Sequence, residues 1–197
     1  PAVATRPVVG TDPVAAVESP PVAELLAFTL QRSDNHLADT LLLAAAHAAT
    51  GDGSWAAAER TAAAVLAGLG LDPAGLRVAD GSGLSRLDRL TAAQLADLDV
   101  AMMAGPHADA WQSSLAVAGQ TGTLRGRLRG TAADGRFVGK TGTLDDVKAV
   151  AGHVRPGDSG QRLHVAVVSN GAPAGGQWAV TVLMDRLALL LADAQVG

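Results

Sequence analysis

The chain has 197 residues, 48% of them hydrophobic and 17% charged, enough for one domain that buries roughly two-thirds of its unfolded surface. A net charge of −4 without a basic run excludes a nucleic-acid-binding stripe, because Arg125, Arg127 and Arg129 form only a short cluster. The lack of cysteine excludes disulfides, thiolate metal sites and a thiol nucleophile, and no apolar run reaches the roughly 18 uninterrupted residues that a membrane span needs.

Taken in order, residues 1–18 carry prolines that forbid a helix across Pro7 and Pro13, so they read as an extended connector or strand end leading in from another segment, or as a disordered end. From Ser19 the pattern turns helical. Ser19 is the expected cap, Pro20 and Pro21 open the helix, and Val22, Leu25, Leu26 and Thr29 form its apolar stripe up to about Gln31. Ser33-Asp34-Asn35 is a loop of three good capping residues ahead of a second helix, which runs through Leu37, Leu41 and Leu42 to a glycine stop at Gly51. A third helix is capped by Ser54 and ends at Gly68 or Gly70. Leu76 to Ala79 read as a short strand, followed by the tight loop Asp80-Gly81-Ser82-Gly83-Leu84-Ser85, which could pin one wall of a cleft. Thr91 and Gln94 make a capping box for a fourth helix stopped by Gly105-Pro106, and a short helix covers Asp109 to Leu115.

The second half reads as sheet. Gly119 to Leu124 contains Thr-Gly-Thr-Leu, repeated at Thr141 to Leu144; only the later copy has a lysine ahead of it, so the first is expected to be a structural loop. Arg136 to Lys140, Val147 to Val154 and Leu163 to Ser169 are β-rich, the last two joined as an antiparallel hairpin by the turn signal at 155–160. A closing helix over Gln177 to Ala194, with Val180, Leu183, Met184, Leu187 and Leu191 at helical spacing, should lie across the sheet. Helices first, then a strand meander and a covering helix, predict an α+β layout with an antiparallel sheet flanked by helices.

Two stretches carry chemistry. Gly139-Lys140-Thr141-Gly142-Thr143-Leu144 puts a cation, two hydroxyls and a glycine on successive residues at a strand edge, a pattern suited to holding a substrate carboxylate. Ser33-Asp34-Asn35 supplies a second cluster of polar side chains far upstream. His36 reads as a surface residue at a helix start. His47, His107, His153 and His164 show no ligand-like spacing with carboxylates, so no metal and no cofactor is expected.

These motifs resemble two of the three signatures of penicillin-binding proteins and serine β-lactamases. Together with Ser-Pro-Pro-Val-Ala-Glu-Leu-Leu at Ser19 to Leu26, Asp80 to Ser85 and Gly-x-x-Gly-Thr-Leu at Gly119 to Leu124, their order resembles low-molecular-mass, DacB-like D-alanyl-D-alanine carboxypeptidases. The third signature, Ser-x-x-Lys, is not in this chain: the residues three before Lys140 and Lys148 are Phe137 and Asp145. The resemblance implies the penicillin-binding protein and serine β-lactamase-like transpeptidase fold, with 19–197 as the C-terminal portion of a catalytic domain. It implies a serine acyl-enzyme mechanism on peptidoglycan stem peptides ending in D-Ala-D-Ala, with possible endopeptidase action, sensitivity to β-lactam inhibitors, an extracytoplasmic location, and a complementary N-terminal fragment carrying Ser-x-x-Lys, without which this chain is inactive. Under it Ser33, Asn35 and Lys140 are catalytic and Thr141, Gly142 and Thr143 bind substrate. Ser33 relays a proton, Asn35 holds the substrate's amide or the lysine of the absent Ser-x-x-Lys, Asp34 braces the loop, Lys140 attracts the substrate carboxylate with the two threonine hydroxyls, and the Thr143 N–H is one oxyanion donor. The competing readings are a non-catalytic wall-binding module or pseudoenzyme, and a β-lactamase. Against the last, the single glutamate between the two motifs is Glu59, inside an amphipathic helix rather than a loop.

Overall fold

The computed structural model describes residues 17–157, 160–173 and 175–195; nearly all of the 1–18 connector therefore lies outside the described residues. Among the described residues six α-helices and four strands are arranged in layers: α1 (Val22–Arg32), α2 (Asn35–Thr50), α3 (Trp55–Gly68), α4 (Ala92–Ala104), α5 (Ala108–Ser114), β1 (Ala116–Val117), β2 (Phe137–Thr143), β3 (Lys148–Val154), β4 (Leu163–Ser169) and α6 (Gln177–Ala192). The sheet is antiparallel in the order β1-β2-β3-β4.

Strand alternation decides what lies on each side. Phe137, Val150, Val154, Val165 and Val167 share one face and pack against Met184, Ala188 and Ala192 of α6, forming the main core. Of the expected α6 stripe, Met184 is in this core and Val180 and Leu191 pack against it, while Leu183 is 62% exposed; with Leu190 at 71%, α6 is apolar on its outer side as well. The opposite face of the sheet carries Lys140, His153 and His164 and is covered by α4, with α5 packed on α4 and α1 on α5. α2 and α3 meet through Ala46, Ala57 and Ala58, each with no exposed surface. Alanine is what lets two helices approach that closely.

Caps explain the helix limits. Ser54 accepts from Ala57 N and Thr91 forms the reciprocal capping box with Gln94. Ser19 does not cap α1: Pro21 occupies the cap position without a side-chain bond, since its fixed φ already suits a helix entry and its missing N–H needs no partner. The strand expected at Leu76 to Ala79 is reduced to a single bridge between Arg77 and Arg89, because the loop between them is too tightly self-bonded to continue a ladder. β1, two residues long, was not foreseen: Ala116 and Val117 sit directly after α5 with no alternation to mark them.

Candidate active site

Ser33 closes α1 in the left-handed conformation, at φ 58° and ψ 49°, with its N–H bonded to Thr29 O. A residue with a Cβ spends about 1 kcal/mol there, and glycine would be the ordinary choice at this position. Asp34 then caps α2, its Oδ1 accepting from Leu37 N at 2.9 Å. That is the bracing expected of it, and it leaves Ser33 and Asn35 on either side exposed. Gly122 fixes the opposite contact. At φ 55°, a Cβ there would stand 2.8 Å from both Ala116 Cβ and Gln31 O, so only glycine lets the 3₁₀ turn Gly122–Leu124 pack beneath the end of α1. Gln31 Nε2 also donates to Ser113 O at 2.8 Å. The Ser33 turn is thus seated on α5 and on the loop that follows β1.

Lys140 reaches it from β2. Its Nζ donates to Ser33 Oγ at 2.8 Å and to Thr141 O at 2.6 Å, leaving one of three N–H donors uncommitted. Because the ammonium occupies a lone pair of the Ser33 oxygen, the Ser33 O–H is free to donate elsewhere. Burial pushes the Lys140 pKa below the ordinary lysine value, the direction expected where the charged form loses water.

The edge of β2 at this point is open. Ala118 N donates to Phe137 O, which sets the parity of the strand: the odd-numbered residues of β2 aim N–H and C=O toward β1. β1 pairs only with Gly139 and Val138, so the backbones of Thr141 and Thr143 face a side on which no strand among the described residues pairs with them. Thr141 Oγ1 donates to Thr123 Oγ1 at 2.7 Å, and Lys148 Nζ donates to Thr143 Oγ1 at 3.1 Å. At Gly142 an added Cβ would lie 3.4 Å from Ala149 Cβ, ordinary contact, so packing does not demand glycine there.

The structure brings together Ser33, Lys140, Thr141 and, through Thr123, the first Thr-Gly-Thr copy. That copy is a loop, as expected, but it is not remote: Thr123 Oγ1 accepts from the Thr141 hydroxyl. The exact repetition of Thr-Gly-Thr-Leu was its signal in the sequence. Lys148 was also overlooked; only the strand register places it opposite Thr143. Glu59 lies on α3 beside α2. A cavity of about 560 Å³ lined by Thr131, Asp134, Arg136, Pro156 and Asp193 contains none of these side chains.

The spacing argument about histidines did not anticipate one cluster. Asp99 of α4, 2% exposed, accepts from Trp111 Nε1 at 2.7 Å and pairs with His153 Nδ1 at 3.0 Å and His164 Nδ1 at 2.6 Å. Burial alone would raise the Asp99 carboxyl, but the donors on His153, Trp111 and His164 outweigh it and hold the pKa below the ordinary value. The three groups lie close enough to be considered as metal ligands. The carboxylate is taken up by Trp111 Nε1, His153 Nδ1 and His164 Nδ1, a hydrogen-bonded node that ties α4 and α5 to β3 and β4 and leaves His153 Nε2 buried without a partner.

A sheet with α6 on one face and a helical layer on the other, and with a Ser-x-Asn turn against the open end of a Lys-Thr-Gly strand, defines the penicillin-binding protein fold. Penicillin binding protein 4 (dacB) of Haemophilus influenzae, solved in complex with a β-lactam, superposes with a TM-score of 0.74 at 26% identity, over 85% of this chain and 40% of its own. The D-Ala-D-Ala carboxypeptidase 3 (S13) family model matches residues 2–192, and the chain belongs to that family. It is 38% identical over 177 residues to a D-alanyl-D-alanine carboxypeptidase of Actinomadura sp. strain R39, covering 87% of this chain, and 34% identical over 195 residues to carboxypeptidase DacB of Mycolicibacterium smegmatis, covering 95%. The chain spans 32% and 41% of the lengths of those two relatives.

Proposed function

We propose that the protein carrying this chain is a serine-type D-Ala-D-Ala carboxypeptidase acting on peptidoglycan stem peptides outside the cytoplasm, and that residues 19–197 form the C-terminal portion of its catalytic domain. The observation that carries this reading is the 2.8 Å contact between Lys140 Nζ and Ser33 Oγ beside an open strand edge. It joins two motifs 107 residues apart in the chain at a place where an extended peptide can add to the sheet.

The chemistry divides as follows. A serine from the Ser-x-x-Lys segment, supplied from outside this chain, attacks the carbonyl carbon of the penultimate D-Ala. Its Oγ–C bond forms while its hydroxyl proton passes to the neutral lysine of the same segment, and the carbonyl oxygen takes negative charge, which the Thr143 N–H stabilises together with the nucleophile's own N–H. The C–N bond then breaks, and the amine of the terminal D-Ala leaves with a proton delivered through Ser33, whose O–H is left free by the Lys140 contact. Lys140, with Thr141, holds the terminal carboxylate, Asn35 holds a substrate amide, and Gly142 keeps that part of the strand unobstructed. Water hydrolyses the acyl ester by the reverse proton path. β-Lactams acylate the same serine, and an endopeptidase reaction would differ only in the leaving amine.

Covalent labelling of the full-length protein by a fluorescent penicillin tests the reading. Labelling that is lost on substituting the serine of Ser-x-x-Lys, and strongly slowed in Lys140→Ala, is expected. A folded full-length protein that carries Ser-x-x-Lys and takes no label would overturn it. Rapid turnover of the penicillin, instead of a persistent acyl-enzyme, would move the assignment to a β-lactamase.

A further inference from the structure

Lys148 opens β3 and faces Thr143 at the last pair of the β2–β3 ladder. That pair is of the non-hydrogen-bonded kind. Leu144 and Val147 exchange N–H···O bonds across the turn, at 3.0 and 3.4 Å, so in the pair behind them the backbone groups point away from the partner strand and the side chains stand close together. Two things follow for Thr143. Its N–H points to the open edge of β2, and its side chain meets Lys148, whose Nζ donates to Thr143 Oγ1 at 3.1 Å.

Nothing in the packing calls for a lysine here. It lies half-buried on the face of the sheet that carries Val150 and Val154 of the same strand, where an apolar residue would cost less. Its cross-strand neighbours are Thr143 on one side and Ser169 on the other, and among the described residues no carboxylate forms an ion pair with it. The contact it does make is with one hydroxyl.

A threonine oxygen has one hydrogen to give and two lone pairs, whereas an ammonium can only donate. The Lys148 contact therefore occupies a lone pair of Thr143 Oγ1 and directs the O–H elsewhere, while the β-branched side chain, stiff at χ1, is held in one rotamer. Because the donor is charged, it also strengthens the hydroxyl as a donor in turn. Thr141 differs. Its hydrogen goes to Thr123 Oγ1, a bond that must reverse before Thr141 can serve a carboxylate. Thr143 is exposed and has no such bond to reverse.

We propose that Lys148 is a positioning residue for the substrate carboxylate: through Oγ1 it turns the Thr143 hydroxyl hydrogen to the open edge of β2, on the side of the strand opposite Lys140. The inference rests on the acyl-transfer reading above and adds a donor to its carboxylate site. Lys148 should thus govern affinity for a carboxylate and leave the rate of the chemical step alone.

The test uses full-length protein and two acyl-D-Ala thioesters, one with a carboxylate in its leaving group and one with that carboxylate esterified. Lys148→Met should raise KM for the first about fivefold, with kcat within about twofold of wild type, and should leave the second unchanged. Lys148→Arg, which can still donate, should recover most of the affinity. In a Thr143→Val background, which keeps the N–H, adding Lys148→Met should change neither KM further. Arg60→Ala, which removes a surface cation beside Asp52, controls for net charge and should match wild type. A wild-type KM in Lys148→Met, or one raised alike for both thioesters, would overturn the inference. So would additive losses in the double variant, which would mean that Lys148 meets the substrate directly. A full-length protein that carries Ser-x-x-Lys, yet turns over neither thioester and takes no penicillin, would reject the acyl-transfer reading itself and the role of Lys148 with it.

Discussion

Replacing Asp99 by Asn keeps the shape of the side chain and removes the charge at the centre of the α4–sheet interface. The carboxylate serves three donors, Trp111 Nε1, His153 Nδ1 and His164 Nδ1, at a site where the aspartate and His153 side chains are 3% and 1% exposed. An amide oxygen can serve two of them, and its NH₂ is turned against the third. One unsatisfied buried donor costs about 1–3 kcal/mol, and the remaining two bonds lose their charge assistance, so a total of about 3–5 kcal/mol is expected. For a domain of this size each kcal/mol corresponds to about 2–4 °C, which places the shift near 10 °C or more. The pH dependence carries a sign. Because the Asp99 pKa is held below its unfolded value, its stabilisation is complete above the unfolded pKa of about 3.9 and is lost as pH falls through the folded one. The variant should therefore lose less stability than wild type between about pH 5 and pH 2. Thermal unfolding of the full-length protein, followed by tryptophan fluorescence because Trp111 is itself in contact with the carboxylate, measures both effects. Stability within about 1 kcal/mol of wild type, or an unchanged acid limb, would refute the claim that this carboxylate holds α4 and α5 to the sheet.

Other perturbations separate the chemistry from the scaffold. Ser33→Gly suits the left-handed backbone, so the fold should be unharmed or slightly stabilised, while acylation falls about 10²-fold or more if Ser33 moves the leaving-group proton; stopped-flow labelling beside a melting curve reads both. Gly142→Ala finds only ordinary contact with Ala149, so its melting temperature should match wild type while turnover of a D-Ala-D-Ala peptide drops; equal turnover would remove Gly142 from the site. Lys140 must be charged to hold a carboxylate and its pKa is lowered by burial, so peptide binding should fade with rising pH below the ordinary lysine range of about 10.4, a limb that Lys140→Arg should move upward. Trp178 and Leu190, 76% and 71% exposed, lie with Leu183 on the outer side of α6, and β4 is an edge strand; the 197-residue chain expressed alone should self-associate in sedimentation, and Leu183→Lys with Leu190→Lys should reduce this.

What could be read from the sequence follows from which interactions are local. Asp34, Ser54, Thr91 and Gly51 act within four residues of themselves, so the limits of α2, α3 and α4 were visible in the letters. The hairpin between β3 and β4 was equally local, announced by its turn. Ser19 failed as a cap because Pro21 needs none. The histidine node was invisible for the opposite reason: Asp99 is 54 and 65 residues from His153 and His164, and no spacing rule reaches that far. Thr123 and Lys148 are likewise products of register and packing.

The Ser33–Lys140 pair was legible for a different reason. Neither residue is explained by its local structure. Serine is a poor choice at φ 58°, and a lysine that keeps its charge against desolvation is a poor choice on the helix-covered face of a sheet. Each is destabilising where it stands, and their contact only partly compensates, because a 2.8 Å bond between an ammonium and a hydroxyl does not replace a hydration shell. A scaffold selected for stability alone would place glycine at 33 and an apolar residue at 140. If that reasoning holds, Ser33→Gly together with Lys140→Met should raise the melting temperature of the full-length protein while abolishing penicillin labelling. A double variant that melts lower than wild type would show that the pair holds α1 to β2 structurally, and that its chemistry is secondary.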